Sequence, residues 1–307
     1  MNITHERLKS AVDSVFVKGS YFYNEYLVRQ LKTEKSFQIL TEIIDKSGKT
    51  LTEALFILLA AIRYYFRDVH VLAKVEAKNS FQKIIDDHYS ELVKIAVLGK
   101  VQGNTPDRAL PIFEVLFHKI PNEEISIIEL GASFGLIGSC LLHPEIMLDN
   151  DKYIVENQKL PKGIKKASNY IGIDINPPEK EWLLACFSRI EDAVRIENYI
   201  NEIPEDQNFK LIKASAVGFS KLDEVTKFVS VKNKIVVITS FMLYQFEEKL
   251  KRQLIDEIIS FCQQNNGHWI AQEVDISDSS NPNYYIDFDG KRIITLKDDK
   301  CGSWEWL

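Results

Sequence analysis

The stretch Ile127-Ile128-Glu129-Leu130-Gly131-Ala132-Ser133-Phe134-Gly135 decides how this chain is read. Its first half closes an isoleucine-rich run, Glu124 to Leu130, with the near-continuous apolar character of a strand buried on both faces. Gly131 then permits a sharp turn and lets backbone approach a ligand that a Cβ would keep away. Gly135 relieves packing where the loop opens a helix over Leu136–Leu142. The glycine spacing is G-x-x-x-G. Strand, loop and helix together make the opening of a β-α unit.

Downstream, strand runs and helical runs alternate. Strands are expected at Tyr170–Ile175, Phe209–Lys213, Lys234–Ser240 and His268–Val274, and helices at Glu179–Tyr199, Ser220–Phe228 and Glu247–Asn265. Apolar strands alternating with helices predict a parallel sheet covered on both faces. The rhythm breaks at Tyr284–Phe288, Asp289-Gly290 and Lys291–Leu296, where two strand patterns flank a dipeptide suited to a type I′ turn. The sheet is therefore expected to finish with two antiparallel strands. An insertion is expected over about Pro144–Ala167, with Asp149-Asn150-Asp151 suggesting a small hairpin.

Upstream of Pro121 the apolar period is helical. Thr4–Val17, Tyr21–Leu31, Ser36–Ile44, the apolar stretch from Ala54 to Phe66, Ser80–His88, Ser90–Leu98 and a helix starting near Ala109 are expected, with Thr50 or Thr52 capping the apolar one. This predicts a helical N-terminal domain over 1–120 and a Rossmann-like domain over 121–307.

With 307 residues, 45% hydrophobic and 27% charged, the composition is that of a globular protein with room for two domains. A net charge of −6 argues against a nucleic-acid partner, whose binders usually show a basic face. Cys140, Cys186, Cys262 and Cys301 stand far apart, as do the six histidines, so neither group has the short spacing of a zinc site. The opening Met1–Lys9 is followed by no apolar core of signal-peptide length, and the run from Ala54 to Phe66 is short of the roughly 20 residues of a membrane span. The expectation is a cytoplasmic protein without a membrane partner or a metal.

The loop chemistry narrows the ligand. A pyrophosphate needs a tight G-x-G-x-x-G cradle at a helix N-terminus. S-adenosylmethionine carries no phosphate, and a G-x-x-x-G loop suits it. A plain glycine turn of an α/β protein and a dinucleotide loop are the other two readings. Asp174, at the tip of the second strand, is placed to accept from both ribose hydroxyls or else to cap the turn before Pro177-Pro178. Its gap from Gly135 is about twice the usual distance of roughly 20 residues, which the insertion accounts for. Ser215, after the third strand, stands where methyltransferases often hold the adenine amino group, or else it is a turn residue. Ser240 and Tyr244 follow the fourth strand, whose tip would face the transferred methyl, and Glu273 at the fifth tip is either a base or a surface carboxylate. Gln102, Asn104 and Arg108 bring polar chemistry to an otherwise apolar stretch about 20 residues before the loop. Arg108 either pairs with the carboxylate of the cofactor or caps or bridges helices of the N-terminal domain. Glu129, Gly131, Ala132, Ser133 and Gly135 complete the candidate cofactor site, and Tyr244 and Glu273 the candidate catalytic pair.

The ordered set Glu129-Leu130-Gly131-Ala132-Ser133-x-Gly135-Leu136, Gly172-Ile173-Asp174-Ile175-Asn176-Pro177 and Trp182-Leu183-x-Ala185-Cys186 resembles the domain of unknown function 2332 family. The likeness extends to Gly19-Ser20 with Tyr23, to Val101-Gln102-Gly103-Asn104-(x)3-Arg108, and to the closing Gly302-Ser303-Trp304-Glu305-Trp306. There are three departures. Gly103 replaces a threonine, Ser215 stands where the family usually has aspartate, and Asp299-Lys300-Cys301 replaces a histidine-proline-histidine element. The resemblance implies a methyltransferase-like fold with S-adenosylmethionine as cofactor and a small-molecule or protein acceptor. A non-catalytic binding or regulatory module on the same fold is the alternative.

Overall fold

The computed structural model describes residues 6, 34–68, 70, 71, 74, 81–100, 102–148, 153, 161–187, 189–229, 233–275, 282–297, 301 and 303–307. The expected helices Thr4–Val17 and Tyr21–Leu31, the Gly19-Ser20 and Tyr23 element, Val101, the Asp149–Asp151 hairpin, Asp299-Lys300 and Gly302 lie outside these residues. In chain order the helices are α1 (Glu34–Ser47), α2 (Leu51–Phe66), α3 (Phe81–Asp87), α4 (Tyr89–Leu98), α5 (Ala109–Lys119), α6 (Leu136–Leu142), α7 (Pro144–Leu148), α8 (Lys180–Ala185), α9 (Ile190–Glu202), α10 (Asp223–Phe228) and α11 (Glu248–Gln264). The strands are β1 (Ile125–Leu130), β2 (Asn169–Asp174), β3 (Phe209–Lys213), β4 (Lys234–Ser240), β5 (His268–Asp275), β6 (Asn283–Phe288), β7 (Lys291–Leu296) and β8 (Trp304–Trp306). Among the described residues no helix is long and apolar enough to cross a membrane.

The chain forms two compact units. One comprises Met1–Gly103 with Pro178–Glu197, the other Asn104–Pro177 with Asn198–Leu307. The change of texture at Pro121 falls inside the second unit, which also takes α5.

The described part of the first unit is built from helices. Thr50 opens α2 with a reciprocal cap: its hydroxyl accepts from the Glu53 N–H at 3.2 Å, and its own N–H donates to Glu53 Oε2 at 2.8 Å. The apolar α2 is buried among Ile39, Leu40, Ile85 and Leu92. Trp182 of α8 packs on this core and donates its indole N–H to the Lys100 carbonyl at 2.9 Å. The sequence reading expected one helix over Glu179–Tyr199, and the structure has two. The break falls at Cys186 and Phe187, residue types of middling helix propensity.

The second unit carries one sheet in the order β3-β2-β1-β4-β5-β6-β7-β8. The first five strands are parallel, and β6, β7 and β8 follow antiparallel. Asp289 (φ 50°) and Gly290 (φ 77°) both occupy the left-handed region, as a type I′ turn requires. The reading of a two-strand ending missed β8, which pairs Trp304 with Leu296 and Trp306 with Ile294. Three residues are too few to carry a strand period. The strand order reverses between β1 and β4, and open α/β sheets bind ligands at the carboxyl ends of the strands at such a reversal.

Candidate functional site

The glycine loop is held by its neighbour strand. Beyond Leu130 the N–H groups of Gly131 and Ala132 donate to the Ile173 carbonyl at 2.8 and 3.2 Å. Gly131 has φ 72° and Gly135 φ 78°, and Gly135 opens α6. Ser133 sits at φ 52°, a left-handed conformation that costs a non-glycine residue free energy. What holds it there is Asp174: Oδ2 accepts from the Ser133 N–H at 2.9 Å while Oδ1 accepts from the Asn176 N–H at 2.8 Å. The loop lies close on β2 because residue 172 is glycine. A Cβ there would be 2.8 Å from Ala132 Cβ and 2.5 Å from Leu211 Cδ2.

The chain just before α5 joins this loop. Asn104 Nδ2 donates to the Ala132 carbonyl at 3.2 Å. The Arg108 guanidinium lies over the Phe241 ring, 4.4 Å from its centroid, a cation–π contact. Four side-chain atoms in this neighbourhood are buried without a hydrogen-bond partner: Asn104 Oδ1, Thr105 Oγ1, Arg108 Nε and Glu129 Oε1. Buried polar atoms are normally paired, so such a group calls for a ligand or ordered water. Arg108 belongs to the sheet unit, where it stands at the N-cap of α5 without a side-chain capping hydrogen bond. Gln102 belongs to the first unit.

At the tip of β4 the chain is strained and tied down. Ser240 is buried and its hydroxyl donates to Gln272 Oε1 at 2.7 Å. Phe241 has φ 49°. Met242 covers the glycine loop: a Cβ on Gly131 would be 2.7 Å from its Cγ and Sδ. Glu273 is neither a surface carboxylate nor a free one. It is 2% exposed and its oxygens accept from the N–H groups of Met242 (3.3 Å) and Leu243 (3.2 Å), pinning the turn after β4. Tyr244, in that turn, is exposed. Ser215 is exposed too, and its hydroxyl accepts from the Val217 N–H at 3.1 Å as a turn residue.

The structure thus gathers Asn104, Arg108, Glu129, Gly131, Ala132, Ser133, Gly135 and Asp174 around one loop and its supports. It ties Ser240 and Glu273 into the β4–β5 tips and leaves Tyr244 and Ser215 on the surface. The sequence reading missed Gln272, Phe241, Met242 and Tyr170. Glutamine in a buried parallel strand was the one available signal, since Gln272 sits in the run Trp269-Ile270-Ala271.

Burial raises two carboxyls. Desolvation lifts Glu129 to about 8, against a hydrogen bond from the Tyr170 hydroxyl at 2.7 Å that favours its charge. Desolvation likewise lifts Glu273 to about 7. In the unfolded chain both ionise near 4.5. Between these limits the folded protein binds more protons, so ionisation works against folding and stability falls as pH rises from about 5 to 8. Melting temperature is expected to drop across this window, with a shallower slope in Glu129→Gln and in Glu273→Gln. A slope unaltered in both variants would contradict the assignment.

Compared with known proteins, the chain matches no family model and no curated protein.

Proposed function

We propose that the sheet unit binds S-adenosylmethionine at the glycine loop and serves transfer of its methyl group to a small-molecule or protein acceptor, in line with the resemblance of its motifs to the domain of unknown function 2332 family. The observation that carries this reading is the Asp174 clasp on Ser133 at the point where the strand order reverses. Each Asp174 oxygen accepts one backbone N–H and keeps a lone pair, enough for both ribose hydroxyls. The same clasp disfavours a dinucleotide, because a pyrophosphate would need the N–H that the carboxylate occupies and would meet its charge. Ile175 beside it is 60% exposed and offers an apolar face to a base. The unpartnered atoms of Asn104, Arg108 and Glu129 suit the charged amino-acid end.

When bound, S-adenosylmethionine supplies an activated methyl, so the chain's own task is alignment and exclusion of water. Phe241, Met242 and Leu243, all nearly buried, form an apolar strap at the β4 tip that suits this task. Tyr244, in the turn after β4, is exposed and is the candidate to orient an acceptor.

Calorimetry on the full chain tests the reading. Wild type is expected to bind S-adenosylhomocysteine and 5′-methylthioadenosine, and Asp174→Ala to weaken both by roughly ten- to 150-fold, the span for hydrogen bonds to a charged group. Wild type that binds neither ligand, or that prefers NADH, sinks it. A second reading, a binding module without catalysis, is favoured by the commitment of Ser240 and Glu273 to internal hydrogen bonds. Binding without methyl release to any acceptor would select it.

A further inference from the structure

Gln272 stands in the middle of the sheet, fully buried on β5, where a parallel strand ordinarily carries an apolar residue. A buried carboxamide costs free energy unless its atoms are bonded. Here each end is used. Oε1 accepts from the Ser240 hydroxyl at 2.7 Å, and Nε2 donates to the Arg108 carbonyl at 3.1 Å and to Cys301 Sγ at 3.2 Å. One side chain thus ties together the β4 tip, the segment that opens α5 and the segment that precedes β8. An apolar residue of the same length would fill the space without needing any of these partners. What it could not do is fix the Arg108 main chain against β4.

The consequence falls on the Arg108 guanidinium. Its place over Phe241 depends on where the Arg108 backbone sits relative to β4, and Phe241 directly follows Ser240. The Gln272 amide joins these two neighbours. Among the described residues Arg108 forms no ion pair, and its Nε is buried without an acceptor, so it is an oriented cation with capacity to spare.

We infer that Gln272 is a positioning residue that sets the Arg108 guanidinium, and through it makes the glycine-loop site selective for adenosine ligands that carry a carboxylate at the end remote from the base. This rests on the S-adenosylmethionine reading. It goes beyond it by naming the device that discriminates an amino-acid-bearing ligand from its truncated nucleoside.

Two substitutions test it in the full chain. Gln272→Met keeps length and burial but neither donates nor accepts as the amide does. Gln272→Glu keeps an acceptor for Ser240 and turns a lone pair toward the Arg108 carbonyl. Both are expected to weaken S-adenosylhomocysteine about ten-fold, the size of one lost charge-assisted contact, and to change 5′-methylthioadenosine by less than about two-fold. Retained binding of the nucleoside reports that the site is folded. Ser240→Ala, which removes one partner and leaves the amide, is expected to give a smaller loss of the same selective kind, and it carries the test if the Gln272 variants do not fold. Equal losses for the two ligands, or none, overturn the assignment. Should wild type bind neither ligand, the S-adenosylmethionine reading fails by itself. A crystal structure of Gln272→Met then decides the positioning claim: a guanidinium displaced from Phe241 supports it, and one still over the ring overturns it.

Discussion

Gly138→Ala is expected to destabilise the sheet unit by about 3 kcal/mol, where helix propensity alone would have it stabilise by about 1 kcal/mol. The sign is decided by what lies beside α6. A Cβ at residue 138 would overlap the ring edge of Tyr170 at Cε2 and Cζ. That ring cannot move aside cheaply. It is fully buried, stacked on Phe209 with centroids 5.0 Å apart, and its hydroxyl donates to Glu129 at 2.7 Å. Either α6 lifts off β2, or the tyrosine shifts and Glu129 loses its donor. An unsatisfied buried group costs about 1–3 kcal/mol, and overpacking costs a similar amount. In a domain of this size about 3 kcal/mol corresponds to a fall in Tm of roughly 6–12 °C. Combining Gly138→Ala with Tyr170→Leu should cost less than the sum of the two changes, because the leucine vacates the space. A Gly138→Ala protein as stable as wild type would show that the close approach of α6 to β2 is not a constraint.

The same residues show where sequence reading succeeds and where it stops. The strands β1 to β7 and the hairpin between β6 and β7 were legible because their signals are local. Apolar runs bounded by loops mark the parallel strands, and Asp289-Gly290 marks the turn. The glycine loop was legible for the same reason. Gly138 was not, because a glycine inside a helix announces close packing without naming the partner, and Tyr170 lies a whole insertion and a strand away. Gln272 and Ser240 meet across neighbouring strands whose pairing is set by the fold. The surface reading of Glu273 failed because a residue at a strand tip looks exposed in sequence. The sheet buries it, since β5 lies between β4 and the antiparallel β6. Arg108 was found on the chemistry of its segment, but its neighbour Phe241 follows from the sheet order, which no spacing along the chain encodes.

Arg108→Ala is expected to weaken S-adenosylhomocysteine by roughly ten- to 150-fold and to leave 5′-methylthioadenosine nearly unchanged. The two ligands share base, ribose and sulfur, and differ in the amino-acid end. Whatever the Asp174 clasp contributes is common to both, so the ratio of their affinities isolates the contact to the carboxylate. Arg108 is suited to that contact by what it lacks. Its ring neighbour Phe241 orients the guanidinium without neutralising it, and a planar fork with free donors pairs with a carboxylate through two parallel hydrogen bonds. Burial keeps the nearby Glu129 carboxyl protonated up to about 8, so it does not neutralise the guanidinium, and its Oε1 is without a partner. A zwitterionic end answers both needs at once, its carboxylate toward Arg108 and its ammonium toward Glu129. Arg108→Lys keeps the charge but not the fork, and should recover only part of the loss. Salt separates this from a packing effect: an ion pair in a partly exposed site weakens with ionic strength, so the affinity ratio of the two ligands should narrow in wild type as salt is raised and stay flat in Arg108→Ala. If both ligands lose affinity alike in Arg108→Ala, the arginine serves only to hold Phe241 and the β4 tip, and the carboxylate must be sought elsewhere.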